Sequence, residues 1–144
     1  MIYYINIGSN LGDRYLNIGK AVEAIERRFG RLVISNMVES EPWGFDSTNL
    51  FVNVGIAFEA EEDPEDVLRM LQAIEREISP ASHRNPDGSY ADRIIDIDIM
   101  EAEGVEMHTP ILELPHPRLA ERPFFLEPLL ELKEKLKSEA EVTE

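Results

Sequence analysis

The sequence predicts an α+β sandwich whose elements run strand, helix, strand, strand, helix, strand. Three observations lead there. Apolar residues alternate along Ile2–Ile7, Leu50–Phe58 and Ile94–Met100, the pattern of half-buried strands. Two segments between them, Asp13–Phe29 and a stretch opening at Asp63, carry apolar residues at helical spacing instead. A chain of 144 residues, 43% hydrophobic and 30% charged, is long enough to bury one core and ordinary enough in composition to fold.

Along the first strand Tyr3, Ile5 and Ile7 alternate with Ile2, Tyr4 and Asn6, and the run stops at Gly8. In the first helix Ile18, Val22, Ile25 and Phe29 share a face, and Gly30 is placed as a C-terminal stop. Leu32–Val38 alternates as a single strand. Leu50–Phe58 alternates strongly, with Leu50, Val52, Val54, Ile56 and Phe58 on one face and Phe51, Asn53 and Gly55 on the other. The second helix has Pro64 in its first turn, with Glu65 and Asp66 at the positive end of its dipole. Val67, Leu71, Ile74 and Ile78 form its buried stripe. Ile94–Met100 is rich in β-branched residues and closes a split βαβ arrangement, that of a ferredoxin-like sandwich. Beyond it, Leu112–Leu132 reads as a loop with short helical pieces, and Lys133–Glu144 as a frayed, charged tail, so that residues 1–132 form the single domain. The connections Glu39–Asn49 and Ser79–Arg93 are long and rich in Gly, Pro, Ser, Asn and Asp; such loops either cover a substrate or merely cross the surface.

The chain has no cysteine, which excludes disulfides, thiolate metal sites and a cysteine nucleophile, and is compatible with a reducing cytoplasm. Its net charge is −15, from 29 acidic and 14 basic side chains, which opposes non-specific nucleic-acid binding. The acid excess gathers at Glu59–Asp66 and in the C-terminal tail, both read as solvated segments. Met1–Asn6 lacks a basic region followed by a long apolar one, and no apolar run approaches the roughly 20 residues that span a bilayer. The expectation is a cytoplasmic protein with neither a membrane nor a nucleic acid as partner.

The sharpest chemical feature is Asp96-Ile97-Asp98. In a strand the two carboxylates project from one side, roughly 7 Å apart at the backbone, while Ile95, Ile97 and Ile99 face the other. Two carboxylates so placed repel unless solvated or bridged, and magnesium, which favours carboxylate and phosphate oxygens, is a suitable bridge. A paired site of that kind grips a triphosphate during in-line attack; a polar strand side facing water accounts for the same spacing equally well. A second cluster, Leu114–Phe125, gathers His116, Arg118, Arg122, Phe124 and Phe125 in a turn-rich stretch. Arginine clamps phosphates, histidine donates to them, and an aromatic ring stacks on a flat heterocycle, although each is equally at home as surface charge or core packing. The third is Glu41-Pro42-Trp43-Gly44 with Asn53 downstream, whose amide offers both a donor and an acceptor to a ring edge. His83 and His108 show no partner and receive no role.

Taken together, these segments resemble the 6-hydroxymethyl-7,8-dihydropterin pyrophosphokinase family. The resemblance is carried by Ile7-Gly8-Ser9-Asn10-Leu11-Gly12-Asp13, then Glu41-Pro42-Trp43-Gly44 and Phe51-Val52-Asn53, then Arg93-Ile94-Ile95-Asp96-Ile97-Asp98, then Pro115-His116-Pro117-Arg118 and Arg122-Pro123-Phe124, in order over roughly residues 2 to 132. It implies a ferredoxin-like fold in which Asp96 and Asp98 hold two magnesium ions that bridge ATP. It implies a pterin slot in which Asn53 reads the ring edge beside Phe51, Phe124 stacks, and the backbone around Ser40, Pro42 and Trp43 completes the polar contacts. On the nucleotide side it implies Glu75, Arg93, His116 and Arg122. The hydroxymethyl oxygen would attack the β-phosphorus and release AMP, in folate biosynthesis, and the chain is expected to act as a monomer on small molecules.

One stretch departs from the family. Where it carries a Gly-Arg-x-Arg-like segment after the second helix, this chain has Ser79-Pro80-Ala81-Ser82, and Tyr90 stands at a later tryptophan position. Arg84 is then the nearest guanidinium that could reach a triphosphate, and joins Arg93, Asp96 and Asp98 in the expected catalytic set. Two other functions are compatible with parts of the sequence. A catalytically weakened relative would keep both pockets, and a metal-dependent nucleotidyl transferase or cyclase would use Asp96 and Asp98 but leave Asn53 and Arg122–Phe124 without a purpose.

Overall fold

The structure, a computed structural model, describes residues 1–41, 50–79 and 94–143, with side chains through residue 140. Five strands, β1 (Ile2–Ser9), β2 (Leu32–Ile34), β3 (Val38–Ser40), β4 (Phe51–Glu59) and β5 (Asp96–Ala102), form one sheet in the order β2-β4-β1-β5, with β3 also against β4. Every pairing in it is antiparallel. With helices α1 (Arg14–Phe29) and α2 (Pro64–Ile78) crossing between the strands, this is the ferredoxin-like order read from the sequence.

Alternation decides which residues meet which layer. Ile5, Ile7, Val54, Ile56, Ile97 and Ile99 point to the face covered by α1 and α2, where Ile18, Ile25, Val67 and Leu71 bury against them. Burying a side chain of this kind is worth about 1.5–3 kcal/mol, so this layer is the fold's main source of stability. Asp13 starts α1 by accepting the Leu16 N–H on its carboxylate, and Gly30 ends it. Gly12, at φ 71°, makes the left-handed turn that leads into that cap.

Several boundaries differ from the sequence reading. β1 continues through Gly8 to Ser9, and Leu50 precedes β4 as an exposed residue rather than opening its buried face. The single strand expected over Leu32–Val38 is two. β2 pairs Ile34 with Ile56, but β3 pairs Val38 with Asn53, a slip of one residue. Ser35 fills the break: its N–H reaches the Gly55 carbonyl at 2.9 Å, and its hydroxyl accepts the Gly55 N–H at 2.7 Å. A one-residue slip reverses the face of everything beyond it, so Val38 and Ser40, not Met37 and Glu39, share a side with Asn53 and Phe51.

The larger correction lies at the C-terminus. The expected loop over Leu112–Leu132 opens with β7 (Glu113–Leu114), which pairs with the preceding β6 (Met107–His108) as a short hairpin, and holds a 3-10 turn at Leu119–Glu121. From there one helix, α3 (Pro123–Thr143), runs through the expected loop end and the expected frayed tail. Proline suits its first position. Phe125, Leu129, Leu132 and Leu136 make an apolar stripe that packs on Tyr4, Val33, Ala57 and Met100, on the sheet face away from α1 and α2. Charged tail residues are used as anchors: Lys133 pairs with Glu101 at 2.9 Å, and Glu139 with Arg31 at 2.6 Å. Among the described residues no helix is long and apolar enough to cross a membrane.

Candidate active site

The polar strand residues lie on that second sheet face, beside and beneath the start of α3. Register places them in two rows. Gly8 of β1 lies opposite Asn53 of β4 on one side and Asp96 of β5 on the other. One step along, Asn6 lies between Gly55 and Asp98. With neighbouring strands about 4.8 Å apart, Asn53 and Asp96 stand about 10 Å from each other at the backbone, across a glycine. Ile95, Ile97 and Ile99 are buried on the opposite face, so the alternation of Asp96 and Asp98 with isoleucine separates site from core as the sequence implied.

On the β4 side, Asn53 is 2% exposed and donates from Nδ2 to the Ser40 hydroxyl at 2.8 Å. That bond fixes the amide plane, and it exists because the β2–β3 slip turns Ser40 toward Asn53. Phe51 lies beside them: its ring and the Asn53 Oδ1 are the atoms nearest the position a side chain on Gly8 would take. Gly8 therefore keeps open the floor between the two halves of the site.

On the β5 side, Glu75 of α2 accepts the Ile97 N–H at 2.7 Å, holding the outer edge of β5 between the two aspartates. His116 is tied to the same strand by its own N–H, which reaches the Met100 carbonyl at 2.9 Å. Its Nδ1 accepts the Arg118 N–H at 3.1 Å, which leaves the ring proton on Nε2. Burial, reinforced by the positive charge of Arg122 and opposed by Asp96, lowers its pKa to about 4. At neutral pH it is an uncharged N–H donor.

The third part is the start of α3. The Arg122 guanidinium carbon lies 4.9 Å from the centre of the Phe125 ring and 5.8 Å from that of Phe124, while His116 meets Phe125 edge-on at 5.1 Å. The Phe124 carbonyl accepts a bond from the Asn6 side chain at 2.9 Å. Asn6 escaped the sequence reading; its only signal was a polar residue in an otherwise apolar strand. His108, given no partner from sequence, sits between Glu106 at 3.2 Å and Glu113 at 3.1 Å in the β6–β7 hairpin.

The structure thus brings together Ser40, Phe51 and Asn53 on one side and Glu75, Asp96, Asp98, His116 and Arg122 on the other, with Phe124 on the helix above the sheet. Pro42, Trp43, Arg84 and Arg93 lie outside the described residues. Among the described residues no group of three or more His, Asp or Glu is arranged to hold a metal ion. A cation at Asp96 and Asp98 would draw its other ligands from substrate and water, which suits magnesium better than a metal needing a full protein cage.

Residues 4–134 match the family model described as 7,8-dihydro-6-hydroxymethylpterin-pyrophosphokinase. The chain belongs to this family. Several similar curated proteins carry the name 2-amino-4-hydroxy-6-hydroxymethyldihydropteridine pyrophosphokinase. That of Porphyromonas gingivalis is 43% identical over 141 residues, 96% of this chain and 95% of its own length. Those of Aquifex aeolicus and Bacillus subtilis are 35% and 31% identical, over 90% and 96% of this chain and 78% and 82% of theirs. In fold, the chain resembles the crystal structure of Plasmodium falciparum HPPK-DHPS with a TM-score of 0.65, over 91% of this chain and 40% of that one; at 14% identity this likeness shows the fold alone. Family membership makes the chain a pyrophosphokinase of folate biosynthesis.

Proposed function

We propose that this pyrophosphokinase takes its diphosphate from ATP and transfers it to 6-hydroxymethyl-7,8-dihydropterin with the help of magnesium. The hydroxymethyl oxygen attacks the β-phosphorus in line, and the bond from that phosphorus to the oxygen shared with the α-phosphate breaks. AMP leaves with the bonding electrons, and the hydroxyl proton passes to solvent. The observation that carries the reading is the row Asn53–Gly8–Asp96: a heterocycle reader and a phosphate-side carboxylate share one sheet face, about 10 Å apart across a residue without a side chain.

Each residue then has a task. Asn53, held by Ser40, reads the pterin edge, Phe51 and Phe124 flank the ring, and Pro42 and Trp43 complete the slot. Asp96 and Asp98 would hold the metal, which when bound offsets the negative charge of the triphosphate and of its transition state. Glu75 keeps their strand in place, while His116 and Arg122, together with Arg93, face the nucleotide. Neutral His116 offers Nε2–H without competing with arginine for charge. Arg84 supplies charge during transfer in place of the arginines that Pro80 and Ser82 replace. The protein works by positioning and charge stabilisation rather than by covalent chemistry. The enzyme acts on small molecules as a monomer in the cytoplasm, without a membrane partner; the absence of cysteine is compatible with that compartment, and a net charge of −15 opposes non-specific nucleic-acid binding.

The test is to mix protein, magnesium, ATP labelled in its base and the reduced pterin, and to separate the nucleotide products. The proposal expects AMP in step with pterin consumed. Pterin and ATP bound without any AMP would identify a relative that has lost transfer, and diphosphate released without modified pterin would identify a cyclase-like enzyme.

A further inference from the structure

α3 contains a proline one turn inside its start, and that proline creates a vacancy. Pro128 has no N–H, so the carbonyl four residues earlier, that of Phe124, loses the helical donor it would otherwise have. The side chain of Asn6 fills the place: Nδ2 donates to the Phe124 carbonyl at 2.9 Å, from a residue 118 positions away in sequence and only 2% exposed. Asn6 stands opposite Gly55 in the sheet. A Cβ on Gly55 would come within 2.7 Å of the Pro128 Cβ and 2.9 Å of Leu132 Cδ1. The central strand therefore supplies the missing bond, while its neighbour supplies the space that lets the proline turn of α3 press onto the sheet.

We infer that Asn6 is a positioning residue for the reaction, setting the height and direction of the Phe124 ring over the pterin by holding the Phe124 carbonyl to β1. The inference rests on the proposed stacking role of Phe124. Asn6 lies on the face and in the row of Asp98, so it ties the ring above the pterin to the strand next to the phosphate-side carboxylates. Burying a carbonyl without a donor costs more than an ordinary hydrogen bond gains, so losing the Asn6 amide lets the first turn of α3 lift and the ring tilt. An aspartate of the same size, acceptor-only when ionised, cannot replace it.

The test measures pterin affinity by calorimetry, in the presence of magnesium and a non-hydrolysable ATP analogue, alongside affinity for the analogue alone. Asn6→Ala and Asn6→Asp are each expected to weaken pterin binding roughly five- to tenfold with analogue affinity held within about twofold. Pro128→Ala restores a backbone N–H for the Phe124 carbonyl, so in that background Asn6→Ala should change pterin affinity by less than about twofold. Should Asn6→Ala prove unstable, the comparison of the near-isosteric Asn6→Leu with and without Pro128→Ala carries the same test. A fall in melting temperature with pterin affinity unchanged would make Asn6 a structural bond only and overturn the inference. So would equal losses in both backgrounds, since the carbonyl would then not be the target. Phe124→Ala, measured in parallel, separates the two layers: unchanged pterin affinity there removes the stacking role and the inference with it, whereas a clear loss there with none for Asn6→Ala overturns the inference alone.

Discussion

Gly8 faces Asn53 directly across β1 and β4, and a Cβ at residue 8 would stand 3.0 Å from the Asn53 Oδ1 and 3.4 Å from the Phe51 ring. The amide has little freedom to move aside, because its nitrogen is bonded to Ser40 at 2.8 Å. Gly8→Ala should therefore weaken pterin binding by roughly tenfold, through a displaced Asn53, while the fold persists. Calorimetry with the pterin and with an ATP analogue checks this. A loss confined to the nucleotide would place the pterin somewhere other than on this floor.

Gly55 makes the contrasting case on the same strand face. Its missing side chain is occupied by Pro128 and Leu132 of α3, not by substrate space. A methyl there cannot be accommodated without moving the helix, and overpacking of this kind costs typically about 1–3 kcal/mol. Gly55→Ala should lower the melting temperature by about 2–4 °C for each kcal/mol lost. An unchanged melting temperature would mean that α3 is less tightly docked than its contacts indicate.

How far these relationships were legible in the sequence differs from one residue to the next. The separation of Asp96 and Asp98 from their isoleucine neighbours follows from strand geometry alone, and period-two alternation gave it. The β2–β3 slip does not, because Leu32–Val38 alternates acceptably in one register, and only the Ser35 hydroxyl bonded to Gly55 shows where the register changes. α3 was hidden by its own sequence. A proline such as Pro128 disfavours a helix interior, and the charges beyond Leu132 read as a frayed tail, whereas tertiary bonds from Asn6, Glu101 and Arg31 make both features compatible with helix. The pairing of Asn6 with residue 124 has no local signature at all.

The pKa values of the two described histidines are shifted in opposite directions. Burial lowers His116 to about 4, so it stays neutral while an unfolded chain would take up a proton below about 6.5. Folding stability should therefore fall as pH drops from about 6.5 toward 4, an effect that His116→Asn removes. His108, hydrogen-bonded to Glu106 and Glu113, is raised, so its smaller contribution is present below the unfolded value and lost as pH rises through the folded one. Nuclear magnetic resonance of the ring signals measures both midpoints. A His116 midpoint near 6.5 would show a ring open to water rather than buried against Phe125.

The central claim is that Asp96 and Asp98 form the phosphate-side, metal-bridging half of a diphosphate transfer site whose other half is Asn53. It is tested most directly by the rate of AMP release from ATP and the pterin in saturating magnesium, for the parent and for Asp96→Ala and Asp98→Ala. Because Ile95, Ile97 and Ile99 make the core side of β5, both variants should keep the parent circular dichroism spectrum. Losing a carboxylate of this kind should remove several kcal/mol of transition-state stabilisation, so each variant should release AMP at least about a hundredfold more slowly. Rates within about threefold of the parent in both variants would contradict the assignment, because a transfer site cannot lose its metal-bridging groups and keep its speed.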